Sequence, residues 1–243
     1  TLNGSPVVDA IVTLMPMQGF SLEMGPNDRA FAEDTLGFLH NATNWTITGW
    51  AKVDLLTDFN TKLLQFQGAD WWLSPLSDSG TKGVILNVQG SPVSIQMNFP
   101  DSTENDWHHF AFSHDGTQFR GYMDGKLVGS ITAPAVSGDT KTLNLGGETA
   151  QWKGYVDELR IYHKKLDELD FGEIMEGTAS SQTPGLKYYW KMDEEVGTRS
   201  FDIVGRNKLT FCGPVFNASR PPVRTAGKTD EEGFYRIESA SYG

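Results

Sequence analysis

Cysteine is nearly absent from this chain. Among its 243 residues only Cys212 occurs, which excludes an intrachain disulfide. That thiol reads as an ordinary buried one, with half of an intermolecular bridge as the alternative. Basic residues are scarce beside acidic ones: 20 Lys and Arg stand against 31 Asp and Glu. The resulting net charge of −11 argues against nucleic acid or an anionic membrane as partner, and leaves room for divalent cations. No run is long and apolar enough to span a bilayer, and no signal-peptide pattern opens the chain, which reads as a mature form or an excerpt. The histidines (His40, His108, His109, His114 and His163) show no metal-ligand spacing. The adjacent pair His108 and His109 would point to opposite faces of a strand, which is wrong for joint ligation. A nucleophile elbow and a glycine-rich phosphate loop are both missing.

What is abundant is turn chemistry. Gly 26, Pro 11 and 12% aromatic residues suit many short strands joined by tight turns. The length fits one large all-β domain, or one domain with a small partner, and a chain of this size buries roughly 70–75% of its unfolded surface on folding. Trp107–Gly116 reads as a strand and a tight turn, followed by a strand over Thr117–Met123 and a second turn at Asp124-Gly125. Asp-Gly supplies the positive φ angles of two-residue hairpins. Between the turns Phe119, Gly121 and Met123 alternate with Gln118, Arg120 and Tyr122. Further strands are expected at Ser5–Pro16, Phe20–Met24, Thr46–Val53, Lys62–Gln67, Val84–Val88, Val93–Phe99, Leu186–Asp193 and Leu209–Phe211. One helix is expected over Glu168–Glu176, with Asp167 as N-cap, Gly177 as stop and Phe171, Ile174 and Met175 on one face.

Taken in order, Trp107–Gly116, Asp124-Gly125, Leu143–Glu148 and Gly154–Tyr162 resemble the laminin-G-like branch of the concanavalin A-like sandwich family. The resemblance implies a jelly-roll β-sandwich and a domain that binds or builds more often than it catalyses. Gly185–Gly213 resembles a segment that the family places ahead of the strand matched here by Phe20–Met24. Its late position points to a circular permutation, with a truncated second sandwich as the alternative. The opening Gly4–Leu14 and the ending Gly227–Glu238 are similar to strands of a carboxypeptidase regulatory-like β-module. The expected organisation is therefore a first strand of a small immunoglobulin-like module at 1–17, a laminin-G-like domain at 18–222, and returning strands of the small module at 223–243.

Four groups of residues could carry chemistry. Glu168-Leu169-Asp170-Phe171-Gly172-Glu173 resembles the Glu-x-Asp-x-x-Glu of laminarinase-type glycoside hydrolases, which works on a strand where the carboxylates share a face. Here the cap and stop place it on a helix, so no catalytic residue is assigned. Calcium needs hard oxygen donors. Asp58 and Asn60 resemble a pentraxin calcium loop, with Glu148 following the Leu143–Gly147 strand where that family places further ligands, although Thr149 and Ala150 supply none. A second calcium option joins Glu23, Asn27 and Asp28 with Asp157, which strict alternation puts on the face of Leu159 and Ile161. There it needs a metal or a hydrogen-bond partner, and satisfaction by the backbone or the surroundings of Arg160 is the plainer reading. Trp71 and Trp72 are candidates for stacking on sugar rings, and consecutive strand residues allow at most one of them to face outward. Asn41, Asn44 and Asn217 head N-glycosylation triplets, which lend mild support to an extracellular or cell-surface address.

The function these signals favour is non-catalytic: a structural or adhesive module of a larger extracellular or cell-surface protein, filament-forming assemblies included. Its partners would be neighbouring modules or subunits, met by strand addition at the termini. The alternative is a calcium-assisted carbohydrate-binding module using Trp71 or Trp72. A glycoside hydrolase built on Glu168 and Glu173 comes third.

Overall fold

The structure is a computed structural model. It describes residues 19–32, 42–56, 62–69, 71–78, 81–89, 94–99, 106–132, 142–147, 152–175, 182–219, 221, 226–229 and 235–238. In chain order the strands begin with β1 (Ser21–Met24), β2 (Arg29–Ala32), β3 (Trp45–Leu56), β4 (Leu64–Phe66), β5 (Trp71–Asp78) and β6 (Thr81–Val88). Next come β7 (Ile95–Asn98), β8 (His108–His114), β9 (Gln118–Met123), β10 (Lys126–Thr132), β11 (Leu143–Gly146) and β12 (Trp152–Tyr162). After helix α1 (Glu168–Met175) follow β13 (Leu186–Trp190), β14 (Arg199–Phe201), β15 (Lys208–Cys212), β16 (Val215–Asn217), β17 (Ala226–Thr229) and β18 (Tyr235–Glu238).

These strands form an all-β sandwich of two antiparallel eight-stranded sheets. The first runs β10-β9-β8-β3-β12-β1-β16, with β13 also on β12, and the second runs β14-β15-β2-β11-β4-β5-β6-β7. Period-2 alternation supplies the apolar faces that meet between them. From the first sheet come Trp45, Ile47, Phe110, Phe112, Phe119 and Leu159; from the second come Phe66, Trp71, Leu73, Leu86, Met97 and Leu145. Trp45 stacks on Trp71 with ring centroids 5.0 Å apart, and Phe112 meets both rings edge-on. Each such aromatic buries enough apolar area to stabilise the fold by roughly 1.5–3 kcal/mol.

The segment Leu186–Asn217 completes this one sandwich. β13 pairs with β12, β15 with β2 and β16 with β1, so it contributes to both sheets and does not open a second sandwich. β17 and β18 form an antiparallel pair of their own, in the segment expected to return. The expected strand Ser5–Pro16 lies outside the described residues.

Helix α1 packs on the outer side of the first sheet. Phe171 and Ile174 join Leu166, Ala111, Tyr122, Tyr162 and Tyr189 in a second apolar cluster there. Asp167 Oδ1 accepts the Leu169 amide at 3.1 Å, which fits its expected role as cap.

Three local expectations are corrected. Asp124 (φ 48) and Gly125 (φ 79) make the two-residue turn expected of Asp-Gly, but β8 and β9 are joined by Asp115, Gly116 and Thr117. The Asp115 carboxylate accepts the amides of Thr117 and Gln118 and the guanidinium of Arg120, and this local bonding holds the longer loop. Cys212 is exposed and not buried, because Leu209 and Phe211 take the inward positions of β15 and its last residue falls outside. Asp157 does not share a face with Leu159 and Ile161. Between the pairs Asp157–Trp50 and Arg160–Thr48, two residues of β12 stand against one of β3, and Glu158 adopts φ 52. This bulge shifts the alternation, so Val156, Leu159 and Ile161 all reach the core.

Candidate functional site

The outward face of the second sheet carries a row of side chains in continuous cross-strand register. Arg199 stands opposite Thr210, Thr210 opposite Phe31, Phe31 opposite Asn144, Asn144 opposite Gln65, Gln65 opposite Trp72, and Trp72 opposite Asn87. The inward neighbours fix this orientation. Ala30 and Ala32 flank Phe31, Leu143 and Leu145 flank Asn144, Leu64 and Phe66 flank Gln65, and Trp71 and Leu73 flank Trp72, all of them in the core. At about 4.8 Å per strand, the row from Phe31 to Asn87 spans roughly 19 Å at right angles to the strands.

Local contacts order these side chains. Arg29 Nε donates to Asn144 Oδ1 at 3.1 Å while its guanidinium sits 4.5 Å above the Phe31 ring. Lys62 Nζ donates to Gln65 Oε1 at 2.8 Å and lies 5.2 Å from the Trp72 ring centroid. Burial lowers the Lys62 ammonium below its ordinary value. Asn87 Nδ2 donates to Ser74 Oγ at 3.2 Å. Three carboxamides and two aromatics thus lie partly exposed along one line, with carboxamide hydrogen-bonding capacity left over. A surface of this kind can exchange hydrogen bonds with a hydroxyl-rich chain and cover its apolar ring faces.

Of the expected sugar-stacking pair, Trp71 is 2% exposed within the core and only Trp72 reaches this face. Phe31, Gln65, Asn87 and Asn144 were not singled out by sequence reasoning. Their outward position was implicit in the alternation of each strand, but the pairing that aligns them was not.

Asp58, Asn60, Glu148 and Asn41 lie outside the described residues. Among the described residues no three His, Cys, Asp or Glu side chains gather as a metal ion would require. The second calcium option does not fit. Glu23 accepts Asn217 Nδ2 at 2.7 Å, and Asp28 accepts the Gly25 amide at 2.7 Å. Asn27 holds an exposed turn at φ 67, and Asp157 is buried, accepting the Glu158 amide at 2.8 Å. Asn44 is exposed just before β3, whereas the Asn217 amide is occupied by Glu23 and its carbonyl by the Ser219 amide.

The hydrolase-like hexapeptide lies on α1. Glu168 accepts the Leu127 amide at 2.7 Å, Asp170 accepts Lys164 Nζ and the Asp167 amide, and Glu173 is exposed. The strongly perturbed titratable groups lie in the first sheet. His109 is fully buried, 2.5 Å from Thr48 Oγ1, and its pKa falls to about 3 through burial and then the charge of Arg160, with Asp124 opposing. Burial first, and the neighbouring Glu158 second, push Asp157 well above the carboxylate range. Arg160 Nη2 donates to Glu158 Oε2 at 2.5 Å and to the Tyr189 hydroxyl at 2.7 Å, and Tyr189 donates to Glu158. This network holds β12 to β13 at the bulge and offers no open cleft.

A profile described as the concanavalin A-like lectin/glucanases superfamily matches residues 27–170, more than half of the chain. The chain belongs to that superfamily. A candidate carbohydrate binding protein from Bacteroides ovatus is 18% identical, with a TM-score of 0.63 over 84% of this chain and 62% of its own. The native heptameric SAP-like pentraxin from Limulus polyphemus is 14% identical, with a TM-score of 0.55 over 80% of this chain and 95% of its own. The binding domain of botulinum neurotoxin DC, solved in complex with SialylT, is 14% identical with a TM-score of 0.50 over 73% of this chain and 46% of its own. The chain thus spans 62% of the Bacteroides protein, and at these identities the likeness is one of fold. No curated protein matches the sequence. The concanavalin A-like fold agrees with the two-sheet sandwich and its short helix.

Proposed function

We propose that this domain is a non-catalytic carbohydrate-binding module whose ligand lies across the strands of the second sheet. The observation that carries this reading is the register-aligned row Phe31, Asn144, Gln65, Trp72 and Asn87. A pyranose is about as long as one strand interval, about 4.8 Å, so the row suits a short stretch of polysaccharide. Its carboxamides would exchange hydrogen bonds with ring hydroxyls, and Trp72 and Phe31 would cover apolar ring faces. Further support comes from neighbours of the same fold that are named for carbohydrate or SialylT binding.

The test is affinity electrophoresis against a panel of polysaccharides, with wild type beside Trp72→Ala and Asn144→Ala. Retardation by at least one glycan that both variants lose is the expected result. Binding that survives both substitutions would move the site elsewhere, and retardation by no glycan would end the lectin reading. Repeating the panel with calcium and with a chelator tests the proposed cofactor role of Asp58, Asn60 and Glu148.

A structural role beside glycan binding is favoured by the separate β17–β18 pair. It fits a terminal module at 1–17 and 223–243 that neighbouring segments or subunits of an extracellular or cell-surface protein would complete.

A further inference from the structure

Among the described residues, the charge on the outward face of the second sheet runs against the charge of the whole chain. Total charge is −11, yet the outward strand positions with described side chains hold Arg29, Arg199 and Lys208 and no Asp or Glu. Two more cations lean over the same face: Lys62 over Trp72, and Arg206, 5.1 Å from the ring centroid of Phe201, the residue opposite Lys208. Among the described residues, three carboxylates adjoining the face in sequence are tied to turns or buried groups. Asp28 accepts the Gly25 amide, Asp202 the amides of Val204, Gly205 and Asn207, and Glu194 the Ser200 hydroxyl and the Phe201 amide.

The aromatics of this face are not bare. Phe31, Trp72 and Phe201 each carry a cation above the ring. A neutral sugar would have to displace those cations to stack, whereas an anionic one could meet them where the rings hold them. We propose that the ligand of this face is an acidic polysaccharide bearing one carboxylate per ring, a polyuronate. This rests on the carbohydrate-binding reading above. The low density of cations, spread over the sheet from Arg199 to Lys62, matches isolated carboxylates better than a densely sulfated chain. A chain with a strong net negative charge repels polyanions in general, so any that binds must be held by a local field.

The deciding experiment is titration calorimetry of the full chain with polygalacturonate, its fully methyl-esterified form, dextran sulfate and single-stranded DNA, at low and high salt. Variants are Lys62→Gln, Arg29→Gln and Lys208→Gln, with Lys187→Gln on the first sheet as control. Lys208 is exposed and makes no hydrogen bond to the row, so its variant keeps the test informative if Arg29→Gln disturbs folding. Polygalacturonate is expected to bind and to weaken with salt, each row-face variant to weaken it up to about fivefold, and the control to leave it unchanged. Equal binding of the methyl ester, still dependent on Trp72, would overturn the charge inference and leave the carbohydrate reading standing. Preference for dextran sulfate, or equal binding of DNA, would overturn the polyuronate assignment. No binding to any glycan would remove both readings.

Discussion

Trp71 and Trp72 are consecutive in sequence and belong to opposite sides of one sheet. The first stacks on Trp45 at 5.0 Å inside the core, and the second lies outside beneath Lys62. The two substitutions should therefore separate stability from binding. Trp71→Ala is expected to cost about 3–5 kcal/mol, because the cavity it leaves is walled by Trp45, Phe66 and Phe112. Trp72→Ala should cost under about 1 kcal/mol and abolish glycan retardation. Urea unfolding with an unchanged m-value measures both, and equal losses would mean that Trp72 is a packing residue as well.

Each strand of the row could be read in one dimension and not in two. In Lys208–Cys212 and Leu143–Gly146 the alternation is plain, and it fixes which residues share a face. It does not say that Asn144 will pair with Gln65 on one side and Phe31 on the other, since those strands are far apart in the chain. The same limit explains Asp157. The bulge at Glu158 follows from β12 exchanging β1 for β13 along one edge, a tertiary event with no local signature. Helix α1 was legible because its cap, apolar face and stop are all local. The burial expected of Cys212 from its residue type was wrong, although Leu209 and Phe211, already claiming the inward positions, put it on the outer side.

Two glycines should respond oppositely to the same substitution. A Cβ on Gly172 in α1 meets nothing within 4 Å, so Gly172→Ala should stabilise by about 0.5–1 kcal/mol through helix propensity and a less flexible unfolded chain. Gly213 has φ +100, and a Cβ there would collide with Asp28, whose carboxylate caps the Gly25 turn. Gly213→Ala should therefore cost more than about 1 kcal/mol. Thermal unfolding of the two variants gives opposite shifts in Tm, and a stabilised Gly213→Ala would show that the turn can move freely.

The buried pair Glu158 and Arg160 should tolerate joint replacement better than separation. Side-chain exposure is 10% and 1%, so Glu158→Gln leaves a desolvated guanidinium without its counter-charge, a loss of about 3–5 kcal/mol. Replacing both by Leu and Met removes the desolvation penalty together with the attraction, and the double variant should be more stable than Glu158→Gln alone. A double-mutant cycle by chemical denaturation reads the coupling directly, and additivity would mean that the pair does not act as a unit.

Acid should weaken this fold through His109 before the surface carboxylates titrate. The ordinary imidazole value is about 6.5, and burial holds His109 near about 3 in the folded state. Between those values the unfolded chain binds a proton that the folded one refuses, so stability falls as pH drops from about 6.5 toward about 3. The slope from this one group approaches about 1.4 kcal/mol per pH unit. Asp157 acts with the opposite sign: its raised folded value favours the protonated form, and its contribution is lost as pH rises from the ordinary carboxylate range. His109→Gln keeps a donor for Thr48 and cannot titrate. It should be less stable than wild type at pH 7, and the gap should close as the pH approaches 4. Urea unfolding across that range decides it: parallel curves for the two proteins would show that the imidazole is already protonated in the fold.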